Sequence, residues 1–554
     1  VALYGLSTAV GSAFFAMYGV YCGVDSQIDA ESIAWAPVCT LPIERPRVLL
    51  HFVVAFVTAV SMLLLARAVV RPRRVPKLAR PIFLAAPIAA LLYIPASYHT
   101  LQSSPPDLIF VHGLVDVVGR HVTPPYVPLV HASRRRPAAL PGLEAKPARP
   151  RDVLFILQES ERFDVTCIDP QAPCSEATRE SHAAMPGRLP LLAMRSNASS
   201  THVSMQVLWT GLTPIASKDA METAPMLWDY ARAAGYDVAY WTSQNLVFGN
   251  ERLAMDHVSF SHTVSGTELD PMADMVSGAR DRRLAERVVA EIDELREPFY
   301  AVVQLANIHR PRVFDAADAP FEPTDPVEYS GKNERQRNYY RNVVHLSDRA
   351  VARVVRHVRE RPFGARTVIV FTSDHGESWF EHKQDNDHAG SVFDEELRVP
   401  AWIDAPPGTL DEAEEKSLEE KRDAAVFHLD VAPTVLDLFG LWDSPAIAAF
   451  RAAMPGHPLT RPELTTEPVV LSNVTWVWEY LVPNYGLMHG SLKVEALERD
   501  ARWLCFDVAK DPTEEHELGL ADPRCKALAA QADSRFHVLP KDLGRLRTNG
   551  AFAR

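Results

Sequence analysis

Two short uncharged runs, VLFIL at 153–157 and TVIVF at 367–371, set the framework of this 554-residue chain. Unbroken apolar runs of that length suit strands buried on both faces, as in parallel sheets covered by helices. Glu159 follows the first run, and the adjacent pair Asp374 and His375 follows the second. In an open α/β sheet the loops at the carboxyl ends of strands converge on one crevice, so ligands remote in sequence meet there. Glu159, Asp374 and His375, with Thr201 as a hydroxyl nucleophile, are read as one metal site. Oxygen and nitrogen ligands around a hydroxyl suit a divalent metal and phosphoryl or sulfuryl transfer.

The rest of the central chain repeats the pattern. A helix-like stretch at 225–234 ends at Gly235 and leads into DVAYW at 237–241. Leu284, Val288, Ile292 and Leu295 recur at helical spacing before FYAVVQL at 299–305. Tyr340, Val343, Val351, Val354 and Val358 mark one face of a long helix before the strand that carries Asp374. Strands alternating with helices predict an α/β fold, a mostly parallel central sheet sandwiched by helices. There is no internal repeat.

Residues 1–23 carry no charge, 48–66 form a second apolar run, and 82–96 a third that Pro87 and Pro95 interrupt. These lengths predict transmembrane helices at about 1–22, 47–67 and 81–98, with buried core helices as the alternative. Arg71, Arg73, Arg74, Lys77 and Arg80 lie between the second and third runs without an acidic residue. By the positive-inside rule that loop is cytoplasmic and the chain beyond is extracytoplasmic. The expectation is therefore a multi-pass protein of a bacterial-type inner membrane, with a periplasmic catalytic domain and the lipid bilayer as a partner. A Pro- and Arg-rich linker follows at 99–150. The chain begins at Val1 rather than Met, so further residues are expected upstream, and without a basic segment its start does not read as a signal peptide.

The formal net charge of −13 argues against a nucleic-acid partner. The six cysteines fall into three local pairs, Cys22 with Cys39, Cys167 with Cys174, and Cys505 with Cys525. That grouping suggests disulfides in an oxidising compartment, with unpaired buried cysteines as the alternative.

Five segments in order carry a family resemblance. They are ESERFD at 159–164, SDHGE at 373–377, DEELRVP at 394–400, HLDVAPTVLDLFG at 428–440 and CFDVAKDPTEE at 505–515. Together they resemble the signature segments of the sulfatase-type branch of the alkaline phosphatase superfamily. The resemblance implies an α/β sandwich at 151–525 whose last part, about 440–525, is a smaller C-terminal subdomain, followed by a tail at 526–554.

Sulfatases carry Cys or Ser in a Cys/Ser-x-Pro-x-Arg motif, with Thr-Gly several residues later. Counting back from Thr210 and Gly211 places Thr201 at the nucleophile, Val203 in place of Pro and Met205 in place of Arg. The residue that sulfatases oxidise to formylglycine is therefore absent. Thr201-x-x-Ser204 resembles the nucleophile segment of membrane phosphoethanolamine transferases and lipoteichoic acid synthases, which also use a single Glu where Glu159 stands. Ser199 and Ser200 are adjacent hydroxyls and alternative nucleophiles.

The resemblance implies double displacement through a phosphothreonine, with one divalent metal ion held by Glu159, Thr201, Asp374 and His375. Zinc or manganese is expected, with calcium or magnesium as alternatives. His309 and His388 resemble the family's substrate histidines and are expected to hold a phosphoryl oxygen or protonate the leaving group. His382 is a third candidate. Arg162 and Lys493 are either anion contacts or solvated surface charges. The expected activity is transfer of a phosphoethanolamine- or phosphoglycerol-like group from an anionic lipid or glycan headgroup. The alternatives are a sulfuric or phosphoric ester hydrolase and a catalytically inactive binding module.

Overall fold

The computed structural model describes residues 150–536 apart from 175, 247–254, 256, 272, 274–276, 311, 325–333, 380, 383–387, 474–483 and 498–501, together with 57, 140 and 143. Apart from Val57, these residues belong to one compact unit.

The strands are β1 (Asp152–Gln158), β2 (Leu189–Pro190), β3 (Met194–Arg195), β4 (Asp237–Thr242), β5 (His262–Val264), β6 (Phe299–Leu305) and β7 (Thr367–Ser373). They continue with β8 (Ala401–Asp404), β9 (Val426–Phe427), β10 (Val469–Ser472), β11 (Asn484–His489), β12 (Leu492–Leu497) and β13 (Leu504–Asp507). Seven form the central sheet in the order β2-β8-β7-β1-β6-β4-β5. β1 pairs in parallel with both β6 and β7, and β4 with β5 and β6. Only β8 runs against its neighbours β7 and β2. The expected mostly parallel α/β sheet is what the chain forms.

Its centre is buried on both faces because β1, β6 and β7 expose no residue. Alternation along β1 divides the core: Val153, Phe155 and Leu157 join one apolar cluster with Leu208, Trp228, Leu436 and Phe439. Leu154 and Ile156 join the other, with Leu284, Val288, Val351 and Val354. The last two come from the long helix Glu334–Arg359, whose predicted apolar face is buried throughout.

A second sheet, antiparallel in the order β10-β11-β12-β13, forms the C-terminal part. Residues 526–536, read as tail from the sequence, complete the helix Pro523–Phe536, and Leu528, Ala532 and Phe536 pack on that sheet. The Cys505–Cys525 disulfide ties β13 to the helix, and Cys167–Cys174 closes a loop after β1. No described cysteine is free, while Cys22 and Cys39 lie outside the described residues.

The membrane expectation is corrected here. No helix among the described residues is long and apolar enough to cross a membrane, so the structure does not carry a multi-pass inner-membrane placement. The runs at 1–22, 47–67 and 81–98 lie outside the described residues except for Val57, as does nearly all of the 99–150 linker. Their reading rested on apolar length alone, which core helices share.

Candidate metal centre and nucleophile

The sheet ladder runs one residue past its strand ends and sets the first ligands side by side. Glu159 N–H donates to the Leu305 carbonyl of β6 at 2.9 Å, and Asp374 N–H donates to the Gln158 carbonyl of β1 at 2.9 Å. The chain then turns sharply at Ser160, whose φ of 55° lies in the left-handed region that L-residues avoid. That turn aims Ser160 N–H at Asp374 Oδ1 (2.9 Å), and the Tyr340 hydroxyl donates to the Ser160 carbonyl (2.6 Å).

Thr201 arrives from another part of the fold. It is the first residue of the helix Thr201–Thr210, preceded by extended Ser200 and ended by Gly211 at φ 70°. Its hydroxyl donates to Glu159 Oε1 at 3.0 Å and lies 3.1 Å from His375 Nε2. Of the neighbouring hydroxyls, Ser199 Oγ is turned away and donates to the Ser391 carbonyl at 2.6 Å.

His375 Nδ1 lies 2.7 Å from the Gly376 carbonyl, an acceptor only, so Nδ1 carries the proton. Nε2 therefore presents a lone pair to Glu159 Oε1 (3.5 Å) and Asp374 Oδ2 (3.3 Å). Asp374 Oδ2 is buried and accepts no hydrogen bond. Ser160 Oγ also donates to Glu159 Oε1 at 3.1 Å, so these buried acceptors share two neutral hydroxyl donors and the cluster is left short of positive charge.

A divalent cation fits this deficit. The ligand atoms of Glu159, Asp374 and His375 all lie within 4.8 Å of one another. The His375 Nε2 separations of 3.3 and 3.5 Å match the edge of a tetrahedron with bonds of about 2.0–2.2 Å, roughly 3.3–3.6 Å, and the Thr201 contacts at 3.0 and 3.1 Å are a few tenths shorter. The Nδ1–carbonyl bond that fixes the His375 tautomer is the outer contact such ligands commonly have.

The predicted histidines reach the same place. His309 follows β6, and its Nε2 lies 3.1 Å from His388 Nε2. The His388 ring stands 4.7 Å from the His375 ring. Two further histidines went unassigned in the sequence. Burial pushes His202, next to Thr201, down to about 3, with His309 and His375 adding to the effect. Burial also takes His428 to about 3, with His375 adding. Adjacency to Thr201 was the available signal for His202, and the segment opening at 428 was the signal for His428.

Other candidates lie elsewhere. His382 bonds Glu395 Oε1 at 2.6 Å and stacks on Phe393, so it braces a loop. Neither Arg162 nor Lys493 is the anion contact or the solvated charge that the sequence suggested. Arg162 is buried against Trp379 and pairs with Asp164 and Glu381. Lys493 is wholly buried among Asp394, Glu495 and Glu514.

A buried carboxylate–histidine cluster holding a hydroxyl, at the carboxyl edge of a mostly parallel sheet, defines a candidate metal centre of the metalloenzyme type. The Sulfatase family model matches residues 151–441, and the chain belongs to that family. A Delta 4,5-hexuronate-2-O-sulfatase of Bacteroides thetaiotaomicron is 27% identical over 240 residues, covering 40% of this chain and 47% of that protein. The chain thus spans about half the length of that curated relative. Among solved structures, a 2-O GAG sulfatase gives a TM-score of 0.52 at 18% identity, over 72% of this chain and 94% of that one. An alkaline phosphatase superfamily protein from Vibrio parahaemolyticus gives 0.50 at 16% identity, over 77% of this chain and 96% of that one. Phosphoethanolamine transferases and a lipoteichoic acid synthase also resemble it, with lower TM-scores of 0.44, 0.43 and 0.48.

Proposed function

We propose that the chain is a metal-dependent transferase that moves a phosphoethanolamine- or phosphoglycerol-like group through a phosphothreonine at Thr201. The observation that carries this is the Thr201 hydroxyl lying between Glu159 and His375 at 3.0 and 3.1 Å. A threonine there has no route to the formylglycine of sulfatases, but its oxygen is a competent phosphorus nucleophile.

In this reading Glu159, Thr201, Asp374 and His375 hold one divalent cation, zinc or manganese with magnesium or calcium as alternatives. When bound, that cation acidifies the hydroxyl and neutralises charge on the phosphoryl oxygens. Thr201 Oγ1 forms the new bond to phosphorus as the scissile P–O bond breaks. Its proton is directed toward Glu159 Oε1, and the departing oxygen takes a proton from the His309–His388 pair. An acceptor hydroxyl then gives its proton to the His309–His388 pair and attacks the same phosphorus as the bond to Thr201 Oγ1 breaks, and Thr201 Oγ1 recovers the proton held at Glu159 Oε1. The substrate class is an anionic lipid or glycan headgroup.

The sulfatase relative favours a second reading, ester hydrolysis with water as the acceptor. One experiment separates the two. The protein is incubated with zinc or manganese and detergent-dispersed phosphatidylethanolamine and phosphatidylglycerol, and its intact mass is recorded. A headgroup-phosphate adduct on Thr201, absent in Thr201→Ala, supports transfer. No adduct, with aryl sulfate turnover that survives Thr201→Ala, overturns it in favour of hydrolysis.

A further inference from the structure

Two asparagines of the C-terminal sheet grip both sides of the site. Asn473 follows β10 and Asn484 opens β11, and both are wholly buried. Asn473 brackets Ser199: its Oδ1 accepts Ser199 N–H at 2.8 Å, and its Nδ2 donates to Ser199 Oγ at 2.8 Å. The Ser199 carbonyl accepts Ala389 N–H at 2.9 Å. Asn484 closes the circuit. Its Nδ2 donates to the Ala389 carbonyl at 3.2 Å, and its Oδ1 accepts Asn473 N–H at 3.1 Å. Ser199 stands just before the Thr201 helix, and Ala389 is bonded to His388.

Ala389 is the strained link. Its φ is 59°, it carries a Cβ, and it is buried. For such a residue the left-handed conformation is disfavoured by a factor of roughly 5–30. Both of its backbone polar groups are taken up by the circuit, so tertiary hydrogen bonds hold it there. Were Ala389 to relax, His388 would swing with it.

We infer that Asn473 and Asn484 are positioning residues that set His388 against Thr201 by clamping Ser199 and Ala389. This rests on the reading that Thr201 and His388 act on one substrate. It assigns the C-terminal sheet a part in the reaction, although neither asparagine touches the reacting atoms.

The test compares wild type, Asn484→Ala and Asn484→Ala with Ala389→Gly, using alkyl esters of phosphoethanolamine and of sulfate, whose leaving groups need the proton that His388 is placed to supply. Asn484→Ala is expected to lower kcat about tenfold, with KM held within about twofold. Glycine adopts positive φ freely, so the double variant should recover most of the loss. Asn484→Asp keeps the acceptor for Asn473 N–H and turns the donor to Ala389 into a carboxylate oxygen that repels its carbonyl, so it should repeat the loss if the alanine variant does not fold. A lower thermal midpoint with unchanged kcat per folded molecule, or no recovery with glycine, overturns the inference. Crystal structures give a readout independent of activity. In Asn484→Ala, Ala389 should leave positive φ and His388 should move off His309, and an unchanged loop overturns the clamp. Wild type inactive on both probes would instead count against the functional reading.

Discussion

His309 and His388 face each other, Nε2 to Nε2, at 3.1 Å. His309 Nδ1 lies 2.6 Å from the Arg310 carbonyl, which only accepts, so that nitrogen carries a proton. In the neutral pair the proton between the rings therefore belongs to His388 Nε2 and is donated to His309 Nε2, so the pair protonates a leaving group only when it holds one further proton. His388→Ala is expected to lower kcat by about 10²–10⁴ on alkyl esters, and by much less on 4-nitrophenyl esters, whose leaving group needs no proton. Equal losses on both classes would remove the proton-donor role.

Metal removal should abolish turnover. Dialysis against a chelator should inactivate the protein, and zinc or manganese should restore it, with metal content tracking activity. Asp374→Asn takes away the charge at the buried Oδ2 and should leave the protein folded with much weaker metal retention, measured by elemental analysis of the purified variant.

Gly376 leaves no room for a side chain. A Cβ there would stand 2.3 Å from the Glu395 carbonyl oxygen, and Gly376 N–H donates to the Glu396 carbonyl at 2.7 Å. Gly376→Ala must displace the backbone that orients His375. Metal binding and turnover should fall together while circular dichroism stays close to wild type.

Asp348 supplies a pH signature of stability. Burial pushes its carboxyl up to about 7, although the backbone N–H groups of Glu180 and Ser181 bond to it. A raised folded value means the folded state holds a proton that the unfolded state has lost. Stability should therefore fall as pH rises from about 4 to about 7 and level off above. Glu161, Asp281 and Glu514 are raised by burial too, so Asp348→Asn should make that fall shallower in urea unfolding rather than abolish it, and an unchanged slope would show that Asp348 is not a source.

The Cys505–Cys525 disulfide closes a loop of 20 residues between β13 and the last helix. Replacing both cysteines with serine should cost about 3 kcal/mol, read as a lower urea midpoint.

The sequence by itself determined the central strands and which candidate ligands stand at their ends. The runs at 153–157, 299–305 and 367–371 read as buried strands, because short uncharged β-rich runs suit a sheet covered on both faces, and Glu159, Asp374 and His375 stand where those strands stop. Only the tertiary structure decided the rest. Arg162 and Lys493 looked free to meet an anion, yet their partners Glu381, Asp394 and Glu514 come from distant segments, and local sequence does not register such pairing. His202 lay in no quoted motif, and His428 opened a family segment that assigned it no role. They matter through proximity to His375, which chain folding alone creates. The same holds for Asn473 and Asn484: hydrogen bonds across more than two hundred residues, in the case of Ser199, are a property of packing and leave no periodic trace in the chain.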